Sequence, residues 1–369
     1  MKIALVHDWF DQVYGGSERT ALSIAKMFPD CDVFTMMFND DIFGGTIDPK
    51  RLRTSFLDRW PNFITKRHHY LLPFIPNAIE SYDFSGYDLV ISSSPAFSKN
   101  VITPPETIHV TYCHSPMRFA WDYWPQYMYD NNFGPIKRMI ARGQVNRIRQ
   151  WDLHGVSRVD HWLTNSKTSA NRIKKYYRVT AQVLHPPANL TGAKPSRKKG
   201  NYYVTLATLT PYKKLDIAIE AFNVNGQKLL IIGDGPDRER LQNLAKGNIK
   251  FAGFVKDEKK WKLLAGAKGL IFPQEEDFGL APIDAMACAT PVIAYGKGGA
   301  LETVIDKKTG VFFKTQSVEA LNQAITKAES IHFETQNLVN QAKKFSEPIF
   351  QRRLHEYLKK VMKHHADQA

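Results

Sequence analysis

Two carboxylates separated by seven residues, Glu276 and Asp284, lie in the stretch that runs from Ile271 to Val304. Glu276 belongs to a run of three acids. The residues from Leu280 to Ala289 have a helical pattern, with Pro282 tolerated in the first turn. On one continuous helix these two acids would not share a face. With Glu276 in the loop and Asp284 one turn into the helix, both can face one ligand.

The backbone at the start of this predicted helix adds groups that bind anions. The N–H groups around Phe278, Gly279, Leu280 and Ala281 would point between the two carboxylates, where a phosphate fits. The stretch then offers a carboxylate for hydroxyls, amides for phosphate and a second carboxylate for more hydroxyls. A nucleoside diphosphate sugar has groups of these kinds in the same order. The structural alternative is that acids before a helix complement its macrodipole.

Other polar residues follow predicted strands in the first half of the chain. Gly15 and Gly16, in "HDWFDQVYGGSER", form a Gly-rich turn before a helix, where backbone N–H groups can meet an anion. This turn matches neither a dinucleotide-binding fingerprint nor a P-loop. His114 and Arg118, in "YCHSPMRFAWDYW", stand among aromatic residues that stack on sugars or fill cores. A histidine at this position can donate to a sugar hydroxyl or to a leaving-group oxygen.

In the second half, Lys213 and Lys214 follow the strand "YYVTLAT" and precede a helix. A lysine at this point can neutralise a diphosphate, although exposed lysine pairs usually have no specific role. The sequence contains neither a DxD motif nor a ligand cluster with the spacing of a metal site.

The elements that must position these residues alternate between short apolar strands and helices, which indicates parallel, doubly wound sheets. In such sheets ligands bind at the carboxyl ends of the strands. The polar segment Pro186–Gly200 has no apolar period and is interpreted as an interdomain linker. It separates two halves of comparable size, each of which can form a Rossmann-like domain.

The composition is that of a globular protein, with 369 residues, 43% hydrophobic residues and 23% charged residues. No apolar run approaches the roughly 20 residues that span a bilayer. The N-terminus is predicted to be a first strand and not a signal peptide, because His7 and Asp8 interrupt it. Three distant cysteines indicate a reducing compartment, and we expect a cytoplasmic protein.

The net charge of +14 is concentrated between Lys137 and Arg178. This region has eleven Lys or Arg residues and only two acids, Asp152 and Asp160. Basic residues mixed with bulky apolar ones suit an anionic membrane surface, so the protein could be peripheral on the inner face of the cell membrane. The alternative is a solvated helix whose apolar stripe packs on its own domain. No recognition motif supports nucleic-acid binding, which we exclude.

With these residues in view, the chain resembles the family 4 retaining glycosyltransferases of the GT-B fold. The strongest part is the acid-x7-acid motif within "EEDFGLAPIDAMACATPVIAYGKGGALETV". The stretches "YDLVISSS", "YCHSPMRFAWDYW", "HWLTNSKTSANRIKKYY" and "VLHPPAN" are similar to a bacterial mannosyltransferase-like branch of surface-polysaccharide biosynthesis. The resemblance implies an α/β fold with two Rossmann-like domains facing across a cleft. It assigns residues 1–190 and a returning helix at 347–365 to an acceptor-side domain, and 200–346 to a nucleotide-sugar-binding domain.

The resemblance also implies roles for the residues named above. Glu276 would contact the donor sugar, Asp284 the ribose hydroxyls, and Lys213 the departing diphosphate, with Phe278–Leu280 amides on the diphosphate and sugar. His114 would hold the donor sugar from the other domain. These three residues, His114, Glu276 and Lys213, form the predicted catalytic set.

The remaining implied contacts belong to the donor. Gly15 and Gly16 would approach donor or acceptor, and the backbone near Val255 would meet the base. Two positions depart from the family pattern. The second acid is usually glutamate, and the family has a diphosphate-binding arginine where this chain has Thr208. Lys214 or Arg118 are candidates to replace that lost charge.

The predicted function is a retaining, metal-independent hexosyltransferase that moves a hexose, mannose by the branch resemblance, from a nucleotide sugar to a glycan or a polyprenyl-linked glycan. We expect no cofactor beyond the nucleotide-sugar donor, with GDP-mannose as the expected donor. The alternative is a non-catalytic, glycosyltransferase-like partner subunit with a weakened donor site, which Thr208 and Asp284 motivate. A non-hydrolysing epimerase of the same architecture ranks lower, because that class lacks the "EEDFGLAP" pattern.

Overall fold

The computed structural model describes residues 1–11, 15–65, 68–125, 128 and 134–367. The chain divides into two compact units. The first contains Met1–Pro187 and Gln351–Ala369, and the second contains Ala188–Phe350. Each unit is built around its own parallel sheet.

The first unit has a seven-stranded parallel sheet with the strand order β3-β2-β1-β4-β5-β6-β7. All residues of the first strand are buried, as expected where helices cover both faces of a parallel sheet. The strands are β1 (Ile3–His7), β2 (Asp32–Thr35), β3 (Leu52–Thr54), β4 (Leu89–Ser94), β5 (Ile108–Cys113), β6 (His161–Thr164) and β7 (Gln182–Val183).

Helices connect these strands. They are α1 (Gly16–Met27), α2 (Asp40–Phe43), α3 (Asn62–Thr65), α4 (Ile75–Glu80), α5 (Pro135–His154) and α6 (Lys167–Tyr177). Short 3-10 turns also occur, at Phe56–Arg59 and His68–Tyr70 among others. The basic region predicted from the sequence overlaps α5, a single twenty-residue helix that starts at Pro135 and ends at His154, with Gly155 as its C-cap.

A buried carboxylate attaches α5 to the rest of the first unit. Asp152 accepts hydrogen bonds from Trp121 Nε1 at 2.8 Å and from the Tyr177 hydroxyl at 2.8 Å. The Lys99 ammonium lies 2.8 Å from the same carboxylate. Because a buried charge without partners is strongly unfavourable, this arrangement fixes four chain segments at once.

The second unit has a six-stranded parallel sheet with the order β10-β9-β8-β11-β12-β13. The order reverses between β8 and β11, the position at which open parallel sheets bind ligands. The strands are β8 (Tyr203–Leu206), β9 (Leu229–Ile232), β10 (Ile249–Gly253), β11 (Leu270–Phe272), β12 (Val292–Tyr295) and β13 (Gly310–Phe313). The helices are α7 (Leu215–Asn225), α8 (Arg238–Leu244), α9 (Asp257–Gly266), α10 (Ala281–Ala287), α11 (Ala300–Thr303), α12 (Val318–Glu329), α13 (Thr335–Lys343) and α14 (Glu347–Ala366).

Two features differ from the sequence interpretation. The predicted linker Pro186–Gly200 is not a free connection, because Ala188 is buried in the core of the second unit and Lys199 Nζ donates to the Ala265 carbonyl. Helix α10 is shorter than predicted, because Ala289 adopts a left-handed conformation with φ of 58°. Helix α14 begins in the second unit and continues into the first.

Candidate functional site

The switch point of the second sheet brings two predicted residues into direct contact. Lys213 ends a 3-10 turn after β8, and Glu276 lies in the loop after the neighbouring strand β11. Lys213 Nζ donates a hydrogen bond to Glu276 Oε1. The sequence predicted Lys213 at a diphosphate and Glu276 at a sugar, and the fold places the two side chains against each other.

This contact sets the charge of the lysine. Burial disfavours the ammonium form of Lys213, but attraction to Glu276 and Tyr212 outweighs burial and raises the pKa of Lys213 above its usual value. Lys213 is therefore a cation throughout the physiological range. Because its side chain is largely withdrawn from water, its charge is only weakly screened and can act on an anionic group nearby.

Two glycines missed by the sequence interpretation support the acidic loop. The Gly299 N–H donates to the Glu276 carbonyl at 2.9 Å, and a Cβ on Gly299 would overlap the backbone of Phe278. Gly298 has a φ of 63°, a conformation that side-chain-bearing residues rarely adopt. The sequence signal was the pair of glycines just before α11, but their role depends on contact with the loop at Glu276, which is distant in sequence.

Between Glu276 and α10, Phe278 and Leu280 pack their side chains against the core of the second unit. The Phe278 ring is buried and packs edge-on against Phe345, with ring centroids 5.6 Å apart. Gly279 has a φ of 85°, and a Cβ there would lie 2.8 Å from the Phe272 ring. Binding of an anion by the amides of Phe278, Gly279 and Leu280 stays a prediction.

The second acid of the motif has an unexpected partner. Asp284 Oδ2 lies 3.1 Å from Lys260 Nζ, and both side chains are 6% exposed. Lys260 comes from α9 and also lies 3.1 Å from Asp257 Oδ1 and 3.9 Å above the Trp261 ring. The sequence did not single out Lys260, because a lysine in the run "KDEKKWK" looks like part of a solvated helix face.

The other predicted donor residues of this unit lie in loops at the same edge of the sheet. Thr208 is exposed in the loop after β8, and Lys214 has a left-handed backbone with φ of 53°. Val255, in the loop after β10, packs partly against the core, whereas the preceding Phe254 is exposed. The role of Lys214 as a substitute for the family arginine stays a prediction.

In the first unit, His114 directly follows β5, at the same edge as the end of β1. His114 Nε2 lies 3.0 Å from Ser93 Oγ, and His7 Nδ1 lies 2.9 Å from the Ser93 carbonyl. Burial, reinforced by repulsion from His7, lowers the pKa of His114 to about 3. His114 is therefore neutral at physiological pH and can offer a hydrogen bond but no positive charge.

The glycine turn and Arg118 also belong to the first unit. The Gly15 N–H donates to Glu18 Oε2 at 3.0 Å, which satisfies this backbone donor at the start of α1 beside the exposed Gly16. Arg118 Nε lies 4.0 Å from Asp122 Oδ1, so a carboxylate of its own unit neighbours its charge. Residues 12–14 of the predicted turn lie outside the described residues.

Within the described ranges of the chain, no group of three or more His, Cys, Asp or Glu side chains is placed to hold a metal ion. The side chain of Lys213 places a positive charge at the switch point of the second sheet.

Comparison with known proteins identifies the second unit. Residues 189–345 match the family model described as glycosyl transferases group 1. The second unit is a group 1 glycosyltransferase domain. Over the whole chain, the fold is similar to that of a sucrose-phosphate synthase from Thermosynechococcus elongatus, with a TM-score of 0.74, 17% identity and coverage of 98% of this chain and 99% of that one. The two Rossmann-like units have the GT-B fold.

Similarity to known sequences is limited in identity or in coverage. A GDP-mannose-dependent alpha-(1-6)-phosphatidylinositol monomannoside mannosyltransferase of Mycolicibacterium smegmatis is 31% identical over 140 residues, 33% of this chain and 37% of that protein. The alpha-1,3/1,6-mannosyltransferase of Schizosaccharomyces pombe is 22% identical and covers 84% of this chain and 70% of its own length. The chain thus spans about a third of the length of the relatives that match it first.

The buried Lys260–Asp284 pair gives a prediction about stability. Lys260→Met removes the ammonium and leaves the Asp284 carboxylate buried without it, so we expect a loss of about 3–5 kcal/mol in the free energy of unfolding, measured by urea denaturation. Lys262→Met is the matched control, because Lys262 forms an exposed pair with Glu258 on the same helix and should cost at most about 0.5 kcal/mol. Equal effects of the two substitutions would contradict a structural role for Lys260.

Proposed function

We propose that this protein transfers a hexose from a nucleotide sugar to a glycan or lipid-linked glycan acceptor, with retention at the anomeric carbon and without a metal ion. The observation that carries the proposal is the contact between Lys213 and Glu276 at the switch point of a group 1 glycosyltransferase domain. A largely buried cation beside a carboxylate suits a ligand that has both a diphosphate and sugar hydroxyls.

In the proposed reaction, Lys213 stabilises the charge that develops on the departing diphosphate, together with the amides of Phe278–Leu280. This fixed cation supplies the neutralisation that a metal ion provides in other enzymes. Glu276 binds a hydroxyl of the donor sugar. Because one of its oxygens already accepts a hydrogen bond from Lys213, Glu276 is a weak nucleophile, which favours attack by the acceptor on the same face of the sugar over a covalent intermediate.

His114 is proposed to hold the donor sugar as a neutral hydrogen-bonding group. Its low pKa suits this role, since a second cation is not required where a sugar hydroxyl is bound. We propose GDP-mannose as the donor, supported by the similarity to a GDP-mannose-dependent mannosyltransferase of Mycolicibacterium smegmatis and to a mannosyltransferase of Schizosaccharomyces pombe.

The second candidate function is a non-catalytic partner subunit with a weakened donor site. The observation that favours it is the salt bridge from Lys260 to Asp284, which occupies one oxygen of the carboxylate predicted to bind ribose. Thr208, in place of an arginine, adds to this reading because a bidentate contact to the diphosphate is lost.

Donor binding distinguishes these two functions. With GDP-mannose at about one hundred times its dissociation constant, we expect the free energy of unfolding to rise by about 2.7 kcal/mol, seen as a thermal shift that UDP and ADP sugars do not give. Lys213→Met and Glu276→Gln should remove the shift. Lys262→Met is the matched control and should retain the shift, because Lys262 forms an exposed pair with Glu258 on α9 and is not among the predicted donor-binding residues. The absence of a shift with every nucleotide sugar would favour the partner subunit.

The stereochemical outcome is a separate prediction. With GDP-mannose as donor, octyl α-mannoside as acceptor analogue and EDTA present, the new linkage should be α, as judged by the one-bond carbon–proton coupling at the anomeric centre. A β linkage would contradict retention. Activity lost in EDTA and restored by Mg²⁺ would contradict metal independence.

We also propose that the first unit contacts an anionic membrane surface through the basic region Lys137–Arg178. In support, Met139 and Ile140 on α5 are exposed beside Arg138, Arg142 and Arg147, which are also exposed. The only acid of α5, Asp152, is buried and paired, so no carboxylate of this helix offsets those charges. Among the described helices, none combines the length and apolar character needed to cross a bilayer.

The membrane contact predicts salt-sensitive binding to vesicles. Vesicles with phosphatidylglycerol should bind the protein at low salt, and Arg142→Glu/Arg147→Glu should lower that binding by at least about tenfold, since each basic residue near such a surface contributes about 1 kcal/mol. Lys259→Glu/Lys262→Glu is the matched charge reversal on an exposed helix of the second unit and should have a small effect. Sedimentation of vesicles measures the bound fraction, and equal losses from both variants would contradict this surface.

A further inference from the structure

Ser93 lies directly beside His114 at the carboxyl ends of two paired strands of the first unit. Ser93 belongs to β4 and His114 follows β5, and the His114 N–H donates to the Ser94 carbonyl at 3.0 Å, which continues the pairing of the two strands. The Ser93 side chain is buried, and its Oγ lies 3.0 Å from His114 Nε2. The Tyr112 ring packs edge-on against the His114 ring, with centroids 5.0 Å apart. The imidazole of His114 is therefore held both at one nitrogen and by a neighbouring ring.

The hydrogen bond between Ser93 and His114 can be formed in two ways. His114 is neutral, so one ring nitrogen carries a proton and the other accepts. Either the Ser93 hydroxyl donates to Nε2, or an Nε2–H group donates to Ser93 Oγ. In the second case the Ser93 hydroxyl proton needs another acceptor, and among the described residues Ser93 Oγ hydrogen-bonds only with His114. Because a buried donor without an acceptor is costly, donation from Ser93 to Nε2 is favoured.

The preceding residue of β4 forms the same kind of contact with its direction decided. Ser92 Oγ lies 2.8 Å from His109 Nε2, and His109 Nδ1 lies 3.2 Å from the Arg158 carbonyl. A carbonyl only accepts, so Nδ1 carries a proton, and burial, which lowers the pKa of His109 to about 4, keeps Nε2 without one. Ser92 therefore donates to Nε2, while Thr111 Oγ1, 2.9 Å away, can supply the proton of its own contact with Ser92. Adjacent strand residues point to opposite faces of the sheet, so this pair lies apart from His114.

Two side chains fix the peptide group of Ser93. The register of β1 and β4 places His7 beside Ser93, and His7 Nδ1 donates to the Ser93 carbonyl at 2.9 Å, since a carbonyl has no proton to give. The Ser98 hydroxyl donates to the same carbonyl at 2.9 Å. The Ser93 hydroxyl is therefore presented to His114 from a backbone that is held by two hydrogen bonds besides those of the strand.

We propose that Ser93 is a positioning residue, which donates its hydroxyl proton to His114 Nε2 and so keeps the imidazole proton on Nδ1. No described residue hydrogen-bonds to His114 Nδ1, and this atom is not among the fully buried polar atoms that lack a partner, so it is open to a ligand. His114 then offers its ligand an N–H donor, and the ligand atom that it meets is an acceptor oxygen, of a sugar hydroxyl or a phosphate. With the proton on Nε2, His114 would offer a lone pair instead.

This inference deepens the proposed function, because it specifies the polarity of the contact between His114 and the donor. It rests on the proposed function for the identity of the ligand only, since the position of the proton can be measured in the free protein. The competing explanation is a packing role for Ser93, in which its hydroxyl has no influence on His114.

The first measurement is the tautomer of His114 in the ligand-free protein, from long-range proton–nitrogen correlation spectra with isotope-labelled histidine at neutral pH. The chain has twelve histidines, so His114→Gln assigns the His114 signals by their loss. We expect a protonated Nδ1 and an unprotonated Nε2 in the wild type. Ser93→Ala should populate both tautomers, because Nε2 loses its donor, and Ser93→Thr should restore the single tautomer. Ser92→Ala is the matched control and should leave the His114 signals unchanged.

The second measurement is the dissociation constant for GDP-mannose, by isothermal titration calorimetry. Ser93→Ala should raise it about three- to tenfold, as expected for the loss of one hydrogen bond of fixed polarity, whereas Ser92→Ala should change it less than about twofold. Because Ser93 acts through His114, Ser93→Ala should have less than about a twofold effect in a His114→Ala background. Thermal unfolding verifies that each variant is folded.

A proton on Nε2 of His114 in the wild type would overturn the proposal without any variant. A single Nδ1–H tautomer in Ser93→Ala would do the same, as would an effect of Ser93→Ala on affinity that persists in full in the His114→Ala background. Failure of the wild type to bind any nucleotide sugar would contradict the proposed function instead, and the tautomer spectra would still decide the role of Ser93.

Discussion

All the strands described here run parallel, and this constraint places the candidate site. Parallel strands end at one edge of their sheet, so the loops that follow β8 and β11 meet although Lys213 and Glu276 are far apart in sequence. The same constraint brings His7, Ser93 and His114 together in the first unit, through the register that pairs His7 with Ser93. In each unit the candidate site residues therefore lie at the carboxyl ends of the strands. The helices between the strands hold the sheet in place.

Buried charge is handled the same way in both units, by pairing a carboxylate with a lysine. Asp152 with Lys99 fixes the basic helix of the first unit, and Asp284 with Lys260 connects two helices of the glycosyltransferase domain. Such pairs contribute little net stability but are costly to break, so they favour one arrangement of the chain. The Lys213–Glu276 pair differs because it lies in loops at the switch point, where a ligand can replace part of the mutual contact.

The candidate site residues of the two units differ in charge. The glycosyltransferase domain has a fixed cation at Lys213, whereas burial keeps His114 of the first unit neutral. A diphosphate requires positive charge, and a sugar hydroxyl requires only a hydrogen-bonding partner. In the first unit, exposed positive charge lies instead on α5, at Arg138, Arg142 and Arg147.

The sequence by itself determined the alternation of strands and helices, the two parallel sheets and the identity of the acids and lysines at strand ends, because apolar periodicity and local turn chemistry are short-range signals. It did not determine which of these side chains contact each other. Three contacts join residues that are distant along the chain. They are the hydrogen bond from Lys213 to Glu276, the salt bridge between Lys260 and Asp284, and the hydrogen bond from the Gly299 N–H to the Glu276 carbonyl. Only the packing of the tertiary structure decides such contacts. Packing determines which charged side chains are buried together, and local sequence carries no information about that.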